Sequence, residues 1–397
     1  TLQLTVSLVK ITMWTLVPIL LINLLSAYLQ INGKFLLPSS FGIVVNLFVI
    51  AAILLSSSAH TKIMAWGMCL GFYASASLIA LQSYRAGFQY RPTLQWNTTM
   101  QGIVHLCLPI FLSSTVLQVS KIIDRSFAST LSAGSVSAMN YASKLQEFII
   151  AVFVNSLGMV IFPEFSKLES TDDITTLKQY AMKAINFMGF IIMPVMAGAM
   201  ILSKPVVTTL FMRGAFDDAA AKMTSESLWF YSIGFLAIGF NMVLTRVFYA
   251  LRDTKTPAIN SILSVSLNIV LNFLLIKSMA HRGLALATSL SGILATFLLL
   301  ISLRKKIGPL GLRASLWELI KVLIATAVMS LGVVCLNHWM QLRLTPDSFL
   351  THGVVLLTCA SMGAIAYYFM TLLLNVRQAR VLFNFLVSKA GLAWIKK

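Results

Sequence analysis

Charge is unusually scarce in this chain. Only 11% of its 397 residues are charged, and just 12 are acidic, whereas a soluble domain carries roughly 25% charged residues. That scarcity excludes a water-soluble globular fold. Cysteine is scarcer still, at four residues. Cys69, Cys107, Cys335 and Cys359 form neither a CxxC pair nor a metal-ligand spacing, so the sequence encodes no disulfide framework and no cysteine metal site. The five histidines are scattered, and no phosphate-binding loop or nucleophile elbow occurs. Nothing resembles a catalytic set or an ATP-driven motor. What is abundant is apolar: 58% of residues are hydrophobic and the mean hydropathy is +0.86.

These residues gather into eleven stretches near 5–28, 38–56, 63–84, 104–124, 139–161, 180–203, 227–250, 257–277, 283–303, 316–336 and 352–374. Each approaches the ~20 residues that cross a bilayer as helix. Long unalternating runs argue against a barrel of short strands. The expectation is therefore an all-α polytopic membrane protein of about eleven spans. The net charge of +18 sits mainly in short loops, where it sets orientation and attracts anionic lipid rather than nucleic acid. With the C-terminus inside, cytoplasmic loops hold about twice as many Lys and Arg as the opposite side, which predicts a cytoplasmic C-terminus.

A weak internal repeat supports a two-lobed organisation. Tyr28-x3-Asn32-x-Lys34 resembles Tyr249-x3-Asp253-x-Lys255, and Asn46 falls opposite Asn268 with one residue of slippage. The period is six spans, as in transporters that place substrate between parallel halves. The expected division is 1–95 (three spans), 96–306 (six spans) and 307–397 (two further spans and a tail). Three spans of the first lobe are expected to precede Thr1.

Four ordered motifs resemble the MurJ (MviN) lipid II flippases of the multidrug/oligosaccharidyl-lipid/polysaccharide exporter superfamily. They are Leu131-Ser-Ala-Gly-Ser-Val-Ser-Ala-Met-Asn-Tyr-Ala-Ser-Lys-Leu-Gln-Glu-Phe148, Ile161-Phe-Pro-Glu-Phe-Ser-Lys167, Leu210-Phe-Met-Arg-Gly-Ala-Phe216 and Val247-Phe-Tyr-Ala-Leu-Arg-Asp-Thr-Lys-Thr-Pro257. The resemblance implies a fourteen-span exporter fold entered here at the fourth span. It also implies a lipid-tail groove flanked by the last two spans.

Charges inside apolar stretches carry the functional reading, because an ionisable group at membrane depth faces a protein interior or water. Lys144 and Glu147, three apart, share a helix face. They either meet an anionic headgroup or neutralise each other between helices. By resemblance, Lys144 stands where the family usually has a cavity-facing arginine, and lysine lacks that planar fork. Arg246 is a further candidate for substrate contact, although snorkelling from a span end explains it as well. Asp124 has two readings, as the ion partner of Lys121 or Arg125 and as a cation ligand. The resemblance maps a sodium site of the family onto Asp124, Asn268, Asn272 and Thr288, with Asn272 replacing an aspartate. Arg213 with Asp217 is expected to form a local structural pair, with gating as the alternative, and the Arg252–Pro257 turn to be a structural anchor, with lipid phosphates held by its basic pair as the alternative.

The reading is a non-enzymatic flippase of the bacterial inner membrane, expected to act as a monomer. It would move undecaprenyl-diphosphate-linked peptidoglycan precursor outward by alternating access, with Na+ as a possible coupling ion. The alternative is an exporter of another lipid-linked oligosaccharide, or a drug/cation antiporter of the same superfamily. A cation-drug exporter would want an anionic cavity, against which Lys144 speaks.

Overall fold

The computed structural model describes residues 2–56, 62–89, 97–158, 174–343 and 349–381. The Ile161–Lys167 motif, Arg91, Pro92 and the tail lysines Lys389, Lys396 and Lys397 lie outside these residues. Among the described residues every regular element is a helix, as the long apolar runs require. In hydrocarbon only a helix satisfies its own backbone within one segment.

The chain divides into two compact units, residues 1–97 and 98–397. The first holds α1 (Leu2–Met13), α2 (Leu16–Ile31), α3 (Leu36–Leu55) and α4 (Lys62–Arg85). The break between α1 and α2 has a local cause. Pro18 has no N–H to donate to the Trp14 carbonyl, so the helix interrupts one turn earlier. Helices α3 and α4 approach closely through small residues. A Cβ on Gly67 would lie 2.2 Å from the Ala52 Cβ, the close packing typical of membrane helices.

The second unit holds α5 (Thr98–Ser129), then α6 (Ser135–Ile149) continued by a π-helical turn (Ile150–Asn155). It goes on with α7 (Ile174–Ile201), α8 (Ser203–Phe211), α9 (Asp218–Ser232), α10 (Phe235–Ala250), α11 (Lys255–Met279), α12 (His281–Ile307), α13 (Leu312–Arg343) and α14 (Phe349–Leu373). Each of the eleven expected spans contains helix. Among the described residues, eight helical segments are long and apolar enough to cross a membrane. The pair α9–α10, bent by 42°, makes a ninth if taken as one broken span. Helices α5 and α6, which carry the charged residues, are not in that set.

Two breaks in the helical hydrogen-bond ladder are repaired by neighbours. At the α9–α10 bend, Ser289 of α12 donates to the carbonyls of Phe230 (2.7 Å) and Tyr231 (3.2 Å). In α7, Pro194 leaves the Phe190 carbonyl without its helical donor, and the hydroxyl of Tyr367 on α14 donates to it instead. That bond and the Phe190–Tyr367 ring contact (5.5 Å) fasten α14 to α7.

The repeated turn is real in geometry but shifted in register. After α2, Lys34 N donates to Leu29 O and Gly33 has φ +72°. After α10, Asp253 N donates to Phe248 O and Arg252 has φ +55°. Both are helix ends closed through a left-handed residue. Hydrogen bonding thus pairs Gly33 with Arg252, two residues away from the pairing of Asn32 with Asp253 that side-chain likeness suggests.

Candidate functional site

Helix α5 runs past both α11 and α6, and its residues 120–125 meet each in turn. Toward α11 it presents Ser120 and Asp124, four apart and therefore on one face. Opposite stand Asn268 and Asn272, again four apart and buried at 2% and 0% exposure. Asn272 Nδ2 donates to Asp124 Oδ1 at 2.6 Å and lies 3.2 Å from one terminus of the Asn268 amide. Thr288 of α12 completes the group, its Oγ1 3.4 Å from the other terminus of that amide. The four residues mapped to a cation site are thus brought together, with Ser120 added.

Their chemistry fits a hard monovalent cation: one carboxylate, two amides and two hydroxyls, all offering oxygen. The terminus of the Asn268 amide lies 3.2 Å from Ser120 Oγ and 3.0 Å from Asp124 Oδ1. Nitrogen at that terminus donates to the carboxylate and seals the cluster without an ion. Oxygen there sets two acceptors 3.0 Å apart, a spacing a cation between them stabilises. Asn272 Oδ1 is buried without a hydrogen-bond partner, which leaves an oxygen available for ligation.

Toward α6, α5 presents Lys121. Its Nζ lies 3.2 Å from Glu147 Oε1, while Lys144 Nζ lies 2.8 Å from Glu147 Oε2. One carboxylate therefore bridges two ammoniums on two helices. The triad lines a cavity of about 260 Å³ together with Asp124, Arg125, Asn140, Ser143, Tyr231 and Thr288. Since Asp124 and Thr288 are shared, the charged triad and the polar cluster face one space. Arg246 sits on the exposed side of α10 and is not among the residues lining that cavity. The Lys144 helix passes directly into the π turn, a deformation often found at functional sites.

Lys121 is the site residue that sequence reasoning undervalued. It is 26 positions from Glu147, and no local spacing relates them. A second cavity, about 1080 Å³ and mostly apolar, is lined by α7, by the start of α13 with Trp317, and by Arg377 and Val381 after α14.

The Arg213–Asp217 segment is held by local contacts, whereas the Arg252–Pro257 turn is also tied to the end of α12. Asp217 caps α9, accepting from Ala220 N at 2.9 Å, and Arg213 donates to the Leu210 carbonyl. Asp253 accepts from Thr256 N and Oγ1 at 3.0 and 2.8 Å and pairs with Lys306. Burial pushes the Asp253 carboxyl up, but Lys306 and the Thr256 bonds outweigh it and hold it below the usual carboxylate range.

The multi-helical membrane fold that carries this ionic cavity is that of the two-lobed exporter class. The solved structure of lipid II flippase MurJ in its inward closed conformation superposes with a TM-score of 0.74 at 23% identity, over 92% of this chain and 73% of that one. An inward-facing multidrug resistance MATE family transporter of the MOP superfamily gives 0.61 at 15% identity, over 74% and 69%. The particular family follows from sequence. The family model described as lipid II flippase MurJ matches residues 1–355, and the chain belongs to that family. The probable lipid II flippase MurJ of Vibrio cholerae is 29% identical over 386 residues, 93% of this chain and 71% of that protein. Its counterpart in Bdellovibrio bacteriovorus is 28% identical over 264 residues, 65% of this chain and 49% of that protein.

Proposed function

We propose that this multi-pass protein moves lipid II, the undecaprenyl-diphosphate-linked peptidoglycan precursor, from the cytoplasmic to the outer leaflet of the bacterial inner membrane. The observation that carries the reading is a cationic cavity, built on Lys144 and Lys121, inside a member of the lipid II flippase family. A diphosphate must leave water to cross hydrocarbon, and a charge transferred without partners is prohibitively costly. Lysines that face a cavity supply those partners. Transport proceeds by alternating access in a monomer, without covalent chemistry, and the C-terminus is cytoplasmic. The mostly apolar cavity beside α13 and the segment after α14 suits the lipid tail.

The test uses the full-length gene as a cell's sole copy and measures which leaflet holds the precursor. Lys144→Ala should trap it on the cytoplasmic side at unchanged protein level. Normal outward display in that variant would remove Lys144 from the headgroup site, and normal display after deletion of the gene would overturn the substrate.

The polar cluster favours a second element of the proposal. Asp124, Asn268, Asn272 and Thr288 hold a coupling Na+, whose charge offsets that of Asp124. Thermal unfolding in sodium against choline chloride checks it. Sodium should raise the melting temperature of the wild type and not of Asp124→Asn; an equal response in both sinks the ion site.

A further inference from the structure

The Lys121–Glu147–Lys144 triad has a feature that a helix-sealing ion pair lacks. Its side chains are 58%, 47% and 65% exposed, whereas a sealing pair would be buried between its helices. The lysines are therefore engaged and accessible together. The cavity they face carries Lys121, Arg125 and Lys144 against Asp124 and Glu147. That is three positive groups against two negative ones, and the triad itself sets two ammoniums against one carboxylate, so it carries a net positive charge. At about 260 Å³ the cavity is smaller than the ~300–1,000 Å³ that holds a drug-sized ligand. It accommodates a compact anion.

We propose that Lys121 and Lys144 form a two-cation reader for a dianionic diphosphate, and that Glu147 is an internal counter-anion which the ligand displaces and which keeps monoanionic phospholipids out. The inference rests on the cavity being a headgroup site. Its logic is competition for the same two ammoniums. Glu147 brings one negative charge and is tethered at a high effective concentration. A phosphodiester lipid such as phosphatidylglycerol also brings one charge, has no electrostatic advantage over the resident carboxylate, and loses. A diphosphate brings at least two charges on adjacent phosphoryl groups, one for each lysine, and wins. The cost of displacing Glu147 is the same for either ligand, so the carboxylate sets a threshold. Discrimination between ligands comes from having two lysines.

Separate variants follow for each role. Purified protein in neutral detergent is titrated with farnesyl diphosphate and, separately, with dihexanoyl phosphatidylglycerol. Glu147→Gln should tighten both, by about tenfold, equivalent to about 1.4 kcal/mol, bringing phosphatidylglycerol into the measurable range. Lys121→Gln should weaken the diphosphate several-fold more than the phosphatidylglycerol, narrowing the gap between them, and Lys121→Arg should restore the gap. A Glu147→Gln that weakens or leaves unchanged both ligands would overturn the counter-anion role. An unchanged gap in Lys121→Gln would overturn the reader. Each variant's elution profile and melting temperature are recorded, because a purely structural Lys121 would lower stability without moving the gap. If wild-type protein binds neither probe, the headgroup reading itself falls, an outcome distinct from failure of either variant.

Discussion

Removing one hydroxyl, in Tyr367→Phe, tests how this fold repairs its own broken backbone. Pro194 deprives the Phe190 carbonyl of a helical donor, and Tyr367 replaces it. Phe190 and Tyr367 are 5% and 7% exposed within a cluster of apolar side chains from α7, α13 and α14, so water does not offer a substitute. Phenylalanine keeps the ring that packs on Phe190 and removes only the donor. A buried carbonyl left unpaired costs about 1–3 kcal/mol. Polar contacts between membrane helices average about 0.6 and reach about 1.7 kcal/mol, so the expected loss is about 1–1.5 kcal/mol. The partner variant, Pro194→Ala, returns an N–H that can bond to the Phe190 carbonyl within α7. In that background Tyr367→Phe should cost less than about 0.5 kcal/mol, because the carbonyl already has a donor. The coupling energy of the double-mutant cycle is then about 0.5–1 kcal/mol or more, as expected for residues sharing a partner. Reversible unfolding of the purified protein by SDS in mixed micelles measures all four corners. Additive effects would refute the reasoning, since they would mean that Tyr367 acts through something other than the carbonyl freed by Pro194.

Three further expectations share that assay. Ser289→Ala removes the donor to the Phe230 and Tyr231 carbonyls at the α9–α10 bend and should cost about 1 kcal/mol; no loss would show that the bend needs no outside donor. Gly283→Ala should cost about 1–3 kcal/mol, because its Cβ would meet the Leu275 carbonyl oxygen at 2.6 Å, and backbone cannot step aside as a side chain can. A neutral result there would place α11 and α12 further apart than described. Asp253 gives a pH signature. Its folded carboxyl titrates below the ordinary value, so it contributes stability that is present above about pH 4, the unfolded value, and is lost as pH falls through the folded one. Wild type should therefore lose more stability than Asp253→Asn on going from pH 5 to pH 3; identical profiles would remove the Lys306 pair as a stabilising contact.

Much of this protein is legible in order along the chain. Hydrophobic run length dictates helices, because the backbone in lipid has no other way to satisfy itself, and that logic needs no partner strand or distant residue. Four-residue spacing puts Asn268 and Asn272 on one face wherever that segment is helical. Family membership is also readable, since motifs are local strings. Register of the internal repeat is not: side-chain likeness aligns Asn32 with Asp253, whereas hydrogen bonding at the helix ends aligns Gly33 with Arg252. The bend of α9–α10 is likewise invisible in the sequence, for it depends on Ser289 of a neighbouring helix donating to freed backbone carbonyls.

Tertiary structure alone decided which charges belong together. By itself the sequence determined that Lys144 and Glu147 share a helical face and that Asp124 has Lys121 and Arg125 within helical reach. It was silent on Lys121 reaching the other oxygen of Glu147 and on the Asn272 amide meeting Asp124 across 148 positions. Helical periodicity is a property of one segment and survives in any fold that keeps the helix. A contact between α5 and α6 or α11 exists only once the helices have packed, and it is the packing that turns scattered ionisable residues into one cavity.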